Sequence, residues 1–165
     1  MWRPLLLTLT LSCVSTVDLR DDRIQWTREP VIGIAETDLS DGTRWAIKQW
    51  RWGTFQSGCQ GADICVRRGF LWPGASSRTG GYAEWPGQSN ACDAVIVRPA
   101  FGFVIAHELG HCFGLGHSVD QRSVMYPVIG GDDLPQPGVT PLPPHVTHDD
   151  ADALELVKRG ARDAR

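Results

Sequence analysis

An α+β domain is the fold class this sequence predicts, on three observations. Apolar runs of strand length and amphipathic segments of helix length are mixed along the chain, without the strict alternation of an α/β protein. The chain has 165 residues, enough for one domain with its own core and too few for two. Hydrophobic residues make up 42% and charged residues 21%, a globular balance that argues against wholesale disorder. The formal net charge of −3 leaves no basic footprint, so nucleic acid is not an expected partner.

The N-terminal stretch "MWRPLLLTLTLSCVS" carries one cation, Arg3, then an apolar run from Leu5 to Leu11, then small residues. That layout is a secretory signal peptide, assigned to residues 1–17, with the mature domain in 18–165. The run is far shorter than the roughly 20 residues that span a bilayer as a helix, so no transmembrane segment is expected. A buried N-terminal strand is the structural alternative. Lipid anchoring at Cys13 ranks behind export, because Thr10 stands where such signals carry an aliphatic residue.

"EPVIGIAETD" reads as a strand between Pro30 and Asp38. "SDGTRWAIKQWRWG" reads as an amphipathic helix with Trp45, Ala46, Gln49 and Trp50 on its packing face. Ser40 or Asp41 would cap it and Gly53 would stop it. "ADICVRR" is a second strand, and "DAVIVRP" a buried one ended by Pro99. Between them lies a Gly-, Pro- and Ser-rich loop, within which "GGYAEW" could form a short edge strand. "AFGFVIAHELGHCFG" is the strongest helix, with Phe103, Ala106, Leu109, Gly110 and Phe113 at helical spacing. The prolines from Pro127 to Pro144 preclude regular structure there. "HDDADALELVKRG" closes the chain as a helix whose acids and bases match its dipole.

Cys59, Cys65, Cys92 and Cys112 remain after the leader. An even count in an exported chain reads as two disulfides, with three pairings open. The favoured pairing is Cys59–Cys65, a short local loop, with Cys92–Cys112, which would tie a strand to the histidine-bearing helix. A zinc cluster of four thiols is disfavoured, because no C-x₂-C knuckle is present.

The chemistry concentrates in "AHELGHCFGLGHS". On a helix His107 and His111 stand one turn apart on the same face, so two imidazole nitrogens can converge on one cation. Glu108 is turned about 100° from His107 and can reach a water bound to that cation, where a general base belongs. A continuing helix would carry His117 about 9 Å beyond His111 along the axis. For His117 to join the same ion the chain must leave the helix and double back, and Gly114 can take the positive φ that permits it. Three histidines leave one position of a Zn2+ ion open to water, the arrangement of a catalytic site. Zinc lowers the pKa of that water to about 7, and Glu108 can take its proton and pass it to the leaving amine.

The short H-E-x-x-H occurs by accident in ordinary helices, whereas the full H-E-x-x-H-x-x-G-x-x-H is the metzincin signature. "HELGHCFGLGHS" with "SVMYP" resembles the metzincin zinc endopeptidases, and among them the matrixins. Ser118 after the third histidine matches the matrixin branch. Met125 resembles the methionine of the Met-turn, which lies beneath the metal as an apolar floor. Pro127 holds the position where astacins and serralysins carry a tyrosine ligand, so Tyr126 is not assigned to the metal. The resemblance is firm from Val95 to Pro127 and looser in the final helix.

The resemblance implies a metzincin-like catalytic domain. Its elements would be a twisted mixed sheet, about three helices, and a small C-terminal subdomain after the third histidine. It implies one catalytic Zn2+ on His107, His111 and His117, with Glu108 as base. It also places an extended peptide along "GGYAEW", at Gly81, Tyr82 and Ala83, by strand addition. The Pro-rich tract would form a wall of the specificity pocket, or serve only as a linker. Calcium is common in the family, but no ligand loop for it is assigned here. His145 and His148 read as surface or capping residues rather than ligands of a second zinc. No cysteine between the leader and Val31 could block the metal as the propeptides of many animal matrixins do, and no hemopexin-like domain is expected. The expected protein is a minimal, bacterial-type, secreted and monomeric zinc endopeptidase acting on protein or peptide substrates. The alternatives are a non-catalytic extracellular binding module stabilised by zinc, and a processing protease of narrow specificity.

Overall fold

The computed structural model describes residues 17–19, 26–71, 73, 79–85, 91–97, 102–127 and 145–163. The leader assigned to 1–17 lies outside them except for Val17, as do Cys13 and the Pro-rich tract beyond Pro127. Strand β1 is Val17–Leu19.

β2 (Val31–Ile34) is the first strand of the main sheet, with Ile32 fully buried. A single 3₁₀ turn, Thr37–Leu39, leads into α1 (Ser40–Trp50). This helix is the crossover that parallel neighbours require, and β3 (Thr54–Ser57) returns parallel to β2 with Thr54 opposite Val31. The sequence reading did not find β3. "TFQS" sits at the sheet edge, where polar residues need no alternation.

Two details of α1 differ from expectation. Leu39, without a side-chain cap, occupies the N-cap position, and Ser40 is already helical. The 3₁₀ turn supplies the entry instead. The helix stops at Arg51, which takes a left-handed φ of 51° and donates its N–H to the Ile47 carbonyl, two residues before Gly53. Trp52 follows at once and enters the core, which dictates where the chain must turn. The packing face consists of Thr43, Ala46 and Trp50, whereas Trp45 is 37% exposed, with its ring against Gly102.

β4 (Ile64–Arg68), β5 (Gly81–Glu84) and β6 (Cys92–Ile96) complete a five-stranded sheet in the order β3-β2-β4-β6-β5. All pairs are parallel except β5 with β6, so the sheet is mixed and β5 is an edge strand. Arg67 on β4 binds Asp93 on β6 at 2.7 Å and also Glu84 on β5, tying three strands together on one face.

The main helix, α2 (Gly102–Cys112), packs against α1, β5 and β6 and buries Val104, Ile105 and Leu109. Trp50 and Trp26 donate indole N–H groups to the Ala106 and Cys112 carbonyls at 2.8 and 3.2 Å. Trp26, Trp50, Trp52 and Phe113 form an aromatic cluster with ring centroids 5.0–6.4 Å apart. β7 (Leu115–Ser118) pairs antiparallel with β1, and α3 (His148–Asp163) closes the chain. Both favoured disulfides are present, Cys59–Cys65 and Cys92–Cys112, with Cα separations of 5.2 and 5.7 Å. Among the described residues no helix is long and apolar enough to cross a membrane.

Candidate metal centre

The polar residues of α2 are buried with the rest of it, so each needs a partner. His107 Nδ1 lies 2.7 Å from the Val124 carbonyl, and His111 Nδ1 lies 2.9 Å from the Leu115 carbonyl. Carbonyls only accept, so both rings carry their proton on Nδ1 and turn an Nε2 lone pair inward. These two Nε2 atoms are 3.0 Å apart. Two lone pairs facing one another at that distance repel unless a cation is shared between them.

His117 completes the cluster from outside α2. The helix ends at Cys112, and Gly114 takes a φ of +100° and donates its N–H to the His111 carbonyl at 2.9 Å. The chain then runs back as β7, bringing the His117 ring to 5.4 and 4.8 Å, centroid to centroid, from those of His107 and His111. The same reversal delivers the Leu115 carbonyl that orients His111. One turn therefore recruits the third histidine and aligns the second. Ligand atoms from all three residues lie within 4.8 Å of one another, the one such group among the described residues. Three imidazoles with converging nitrogens fit Zn2+ and would leave a fourth tetrahedral position for water.

Glu108 is 5% exposed, with its side chain against the edge strand. A Cβ added at Gly81 would fall 3.0 Å from Glu108 Cγ and 3.1 Å from Oε1. The absence of a side chain at Gly81 makes room for the Glu108 carboxylate against the edge strand. Of the other two residues expected on that strand, Tyr82 faces the opposite way and Ala83 shares the face of Gly81. Tyr82 directs its hydroxyl to the Phe70 carbonyl at 3.4 Å, and Ala83 packs against the core.

Met125 is fully buried in a turn in which Tyr126 N–H bonds the Ser123 carbonyl. A Cβ on Gly110 would collide with the Met125 sulfur, so the methionine lies directly under the histidine helix. Ser118 N–H donates to the Met125 carbonyl at 2.9 Å, and Val124 holds His107. The turn thus grips both histidine-bearing segments, α2 and β7.

Sequence reasoning missed what holds this turn. Asp150, from the first turn of α3, is fully buried and accepts a hydrogen bond from Ser123 Oγ at 2.6 Å. Ser123 Oγ in turn accepts from Met125 N–H at 2.8 Å. Asp150 also accepts from Thr147 N–H at 2.9 Å, while its own N–H reaches Thr147 Oγ1 at 3.3 Å. Burial pushes the Asp150 carboxyl above the usual carboxylate range, against the hydrogen bonds from Ser123 and Thr147. The available signal was the spacing Thr147-x-x-Asp150, a capping-box pattern. His145 is exposed and pairs its backbone with the turn, and His148 bonds Asp152 at 3.0 Å on the surface. Neither approaches the triad closely enough to join it.

A mixed sheet, a histidine helix and a return strand over a methionine turn define a metzincin-like catalytic domain. The family model described as matrixin (peptidase M10) matches residues 34–155, and this chain belongs to the matrixin family. Human (Homo sapiens) matrilysin is 39% identical over 54 residues, which are 33% of this chain and 20% of that protein. Rat (Rattus norvegicus) matrilysin is 62% identical over 32 residues, 19% of this chain and 12% of its own length. The matches thus span no more than a fifth of either relative.

Proposed function

We propose that this protein is a secreted zinc-dependent endopeptidase that hydrolyses peptide bonds in protein or peptide substrates. One observation carries the reading: three histidines converge on one point, and Glu108, next to His107 on the same helix, has its side chain against Gly81 of the edge strand β5. His107, His111 and His117 would hold the ion through one ring nitrogen each. When bound, Zn2+ supplies a Lewis acid for the scissile carbonyl and makes water acidic enough to attack near neutral pH.

The protein's own groups do the rest. The backbone of Gly81 to Ala83 receives the substrate as an added strand, which sets the scissile bond beside Glu108. Glu108 accepts a proton from the attacking water. As the C–N bond breaks, it returns that proton to the amine nitrogen that leaves. Burial of Glu108 keeps bulk water from competing for this transfer. Export agrees with the leader-like N-terminus and the two disulfides.

Glu108→Gln tests the assignment. Zinc stoichiometry should stay at one per chain while chelator-sensitive hydrolysis of casein falls by about 10²–10⁴-fold. Undiminished cleavage removes Glu108 from the role of base, and absence of bound zinc in the parent removes the metal reading.

A further inference from the structure

We propose that the Cys92–Cys112 disulfide is a positioning element of the metal centre, holding the last turn of α2 against the sheet so that His111 and the reversal toward His117 keep their places. The inference rests on the zinc reading above. Cys112 directly follows His111 and is the last residue of α2. The final turn of a helix has carbonyls without onward intrahelical partners, and helix ends fray. Here that turn carries a histidine of the centre and also launches the chain reversal at Gly114.

Two contacts hold its last residue, Cys112. Trp26 donates its indole N–H to the Cys112 carbonyl, and Cys112 is bonded to Cys92. Cys92 opens β6, an interior strand paired with β4 on one side and β5 on the other. In register it lies opposite Ile64, which is fully buried. Cys92 is 1% exposed and Cys112 0%. The cross-link therefore joins a buried position on an interior strand to the C-terminal end of α2. Cys59–Cys65 provides an internal control, because it joins the segment after β3 to β4, elements that carry none of the histidines.

The test compares Cys92→Ala/Cys112→Ala with Cys59→Ala/Cys65→Ala in the full chain. Zn2+ affinity is measured by chelator competition well below the unfolding temperature of each, and near-ultraviolet circular dichroism reports the fold. Removing the α2 cross-link should weaken Zn2+ binding by about tenfold or more, the scale on which groups supporting zinc ligands act. Removing Cys59–Cys65 should lower thermal stability and leave the affinity unchanged. Equal losses from both, or unchanged affinity without Cys92–Cys112, overturn the proposal. Should the alanine pair not fold, Cys92→Val/Cys112→Ala refills the apolar volume and is measured in the same way. Loss of the fold in both also overturns it, since the bond would then support the whole domain rather than its metal centre. A parent chain that binds no Zn2+ refutes the zinc reading itself, an outcome distinct from all of these.

Discussion

Gly114 and Asp150 support the centre separately, one through the chain reversal and the other through the methionine turn. With φ at +100°, any side chain at position 114 strains the reversal that delivers both His117 and the Leu115 carbonyl. Gly114→Ala should cost at least about 1 kcal/mol of stability. It should also weaken Zn2+ binding, read by chelator competition on the folded variant. Asp150→Ala leaves Ser123 and the Thr147 N–H without their acceptor, at a cost of about 1–3 kcal/mol in chemical denaturation. The pH dependence of Asp150 has a definite sign. Its folded-state pKa lies above the ordinary 3.8, so the folded chain keeps a proton that the unfolded chain releases. Its contribution to stability therefore declines as pH rises from the unfolded value through the folded one. The stability of the parent relative to Asp150→Asn should fall across that window and level off above it. A difference that rises over the same range refutes the assignment.

At the scale of elements, α2 is held by neighbours that leave no room on its underside. A Cβ at Gly110 meets both the Met125 sulfur and the Trp50 ring. Gly110→Ala should therefore destabilise the fold by about 1–3 kcal/mol through overpacking, despite the helix propensity gained. A stability gain, measured by urea denaturation, would mean that Met125 can move away freely. The reading of α2 from its periodicity and glycine stop agrees with the structure, because a long apolar pattern leaves few alternatives. The ends of α1 did not follow from local signals. Ser40, Asp41 and Gly53 are good cap residues, yet the 3₁₀ turn sets where the helix starts and the burial of Trp52 where it ends. β3 is held by its pairing to β2, which no pattern in "TFQS" expresses.

Across the whole molecule, metal binding and folding should be coupled. The centre draws its histidines from α2 and β7 and its supports from the methionine turn and α3. Zn2+ at about 100 times its dissociation constant should add about 2.7 kcal/mol to stability, and a chelator should remove it. Acid should do the same, because bound imidazoles must be neutral. A calorimetric scan with and without chelator checks both effects. An unfolding temperature indifferent to Zn2+ would mean that the histidines do not share an ion.

Much of the centre is written in one short segment. The spacing of His107, Glu108 and His111 follows from helix geometry alone, and the place of Gly114 follows from the distance His117 must cover. The cysteine count and spacing likewise suggested the two cross-links that are present. The sequence by itself thus determined the donor chemistry, because both the spacing and the turn are local properties of the backbone. Only the tertiary structure decided what supports that chemistry. Val124 reaches His107 across 17 residues and Asp150 reaches Ser123 across 27. Gly81 meets Glu108 only because β5 lies at the edge beside α2. Such contacts are made by chain segments brought together after folding, and burial then makes each hydrogen bond obligatory, a constraint that no local pattern encodes.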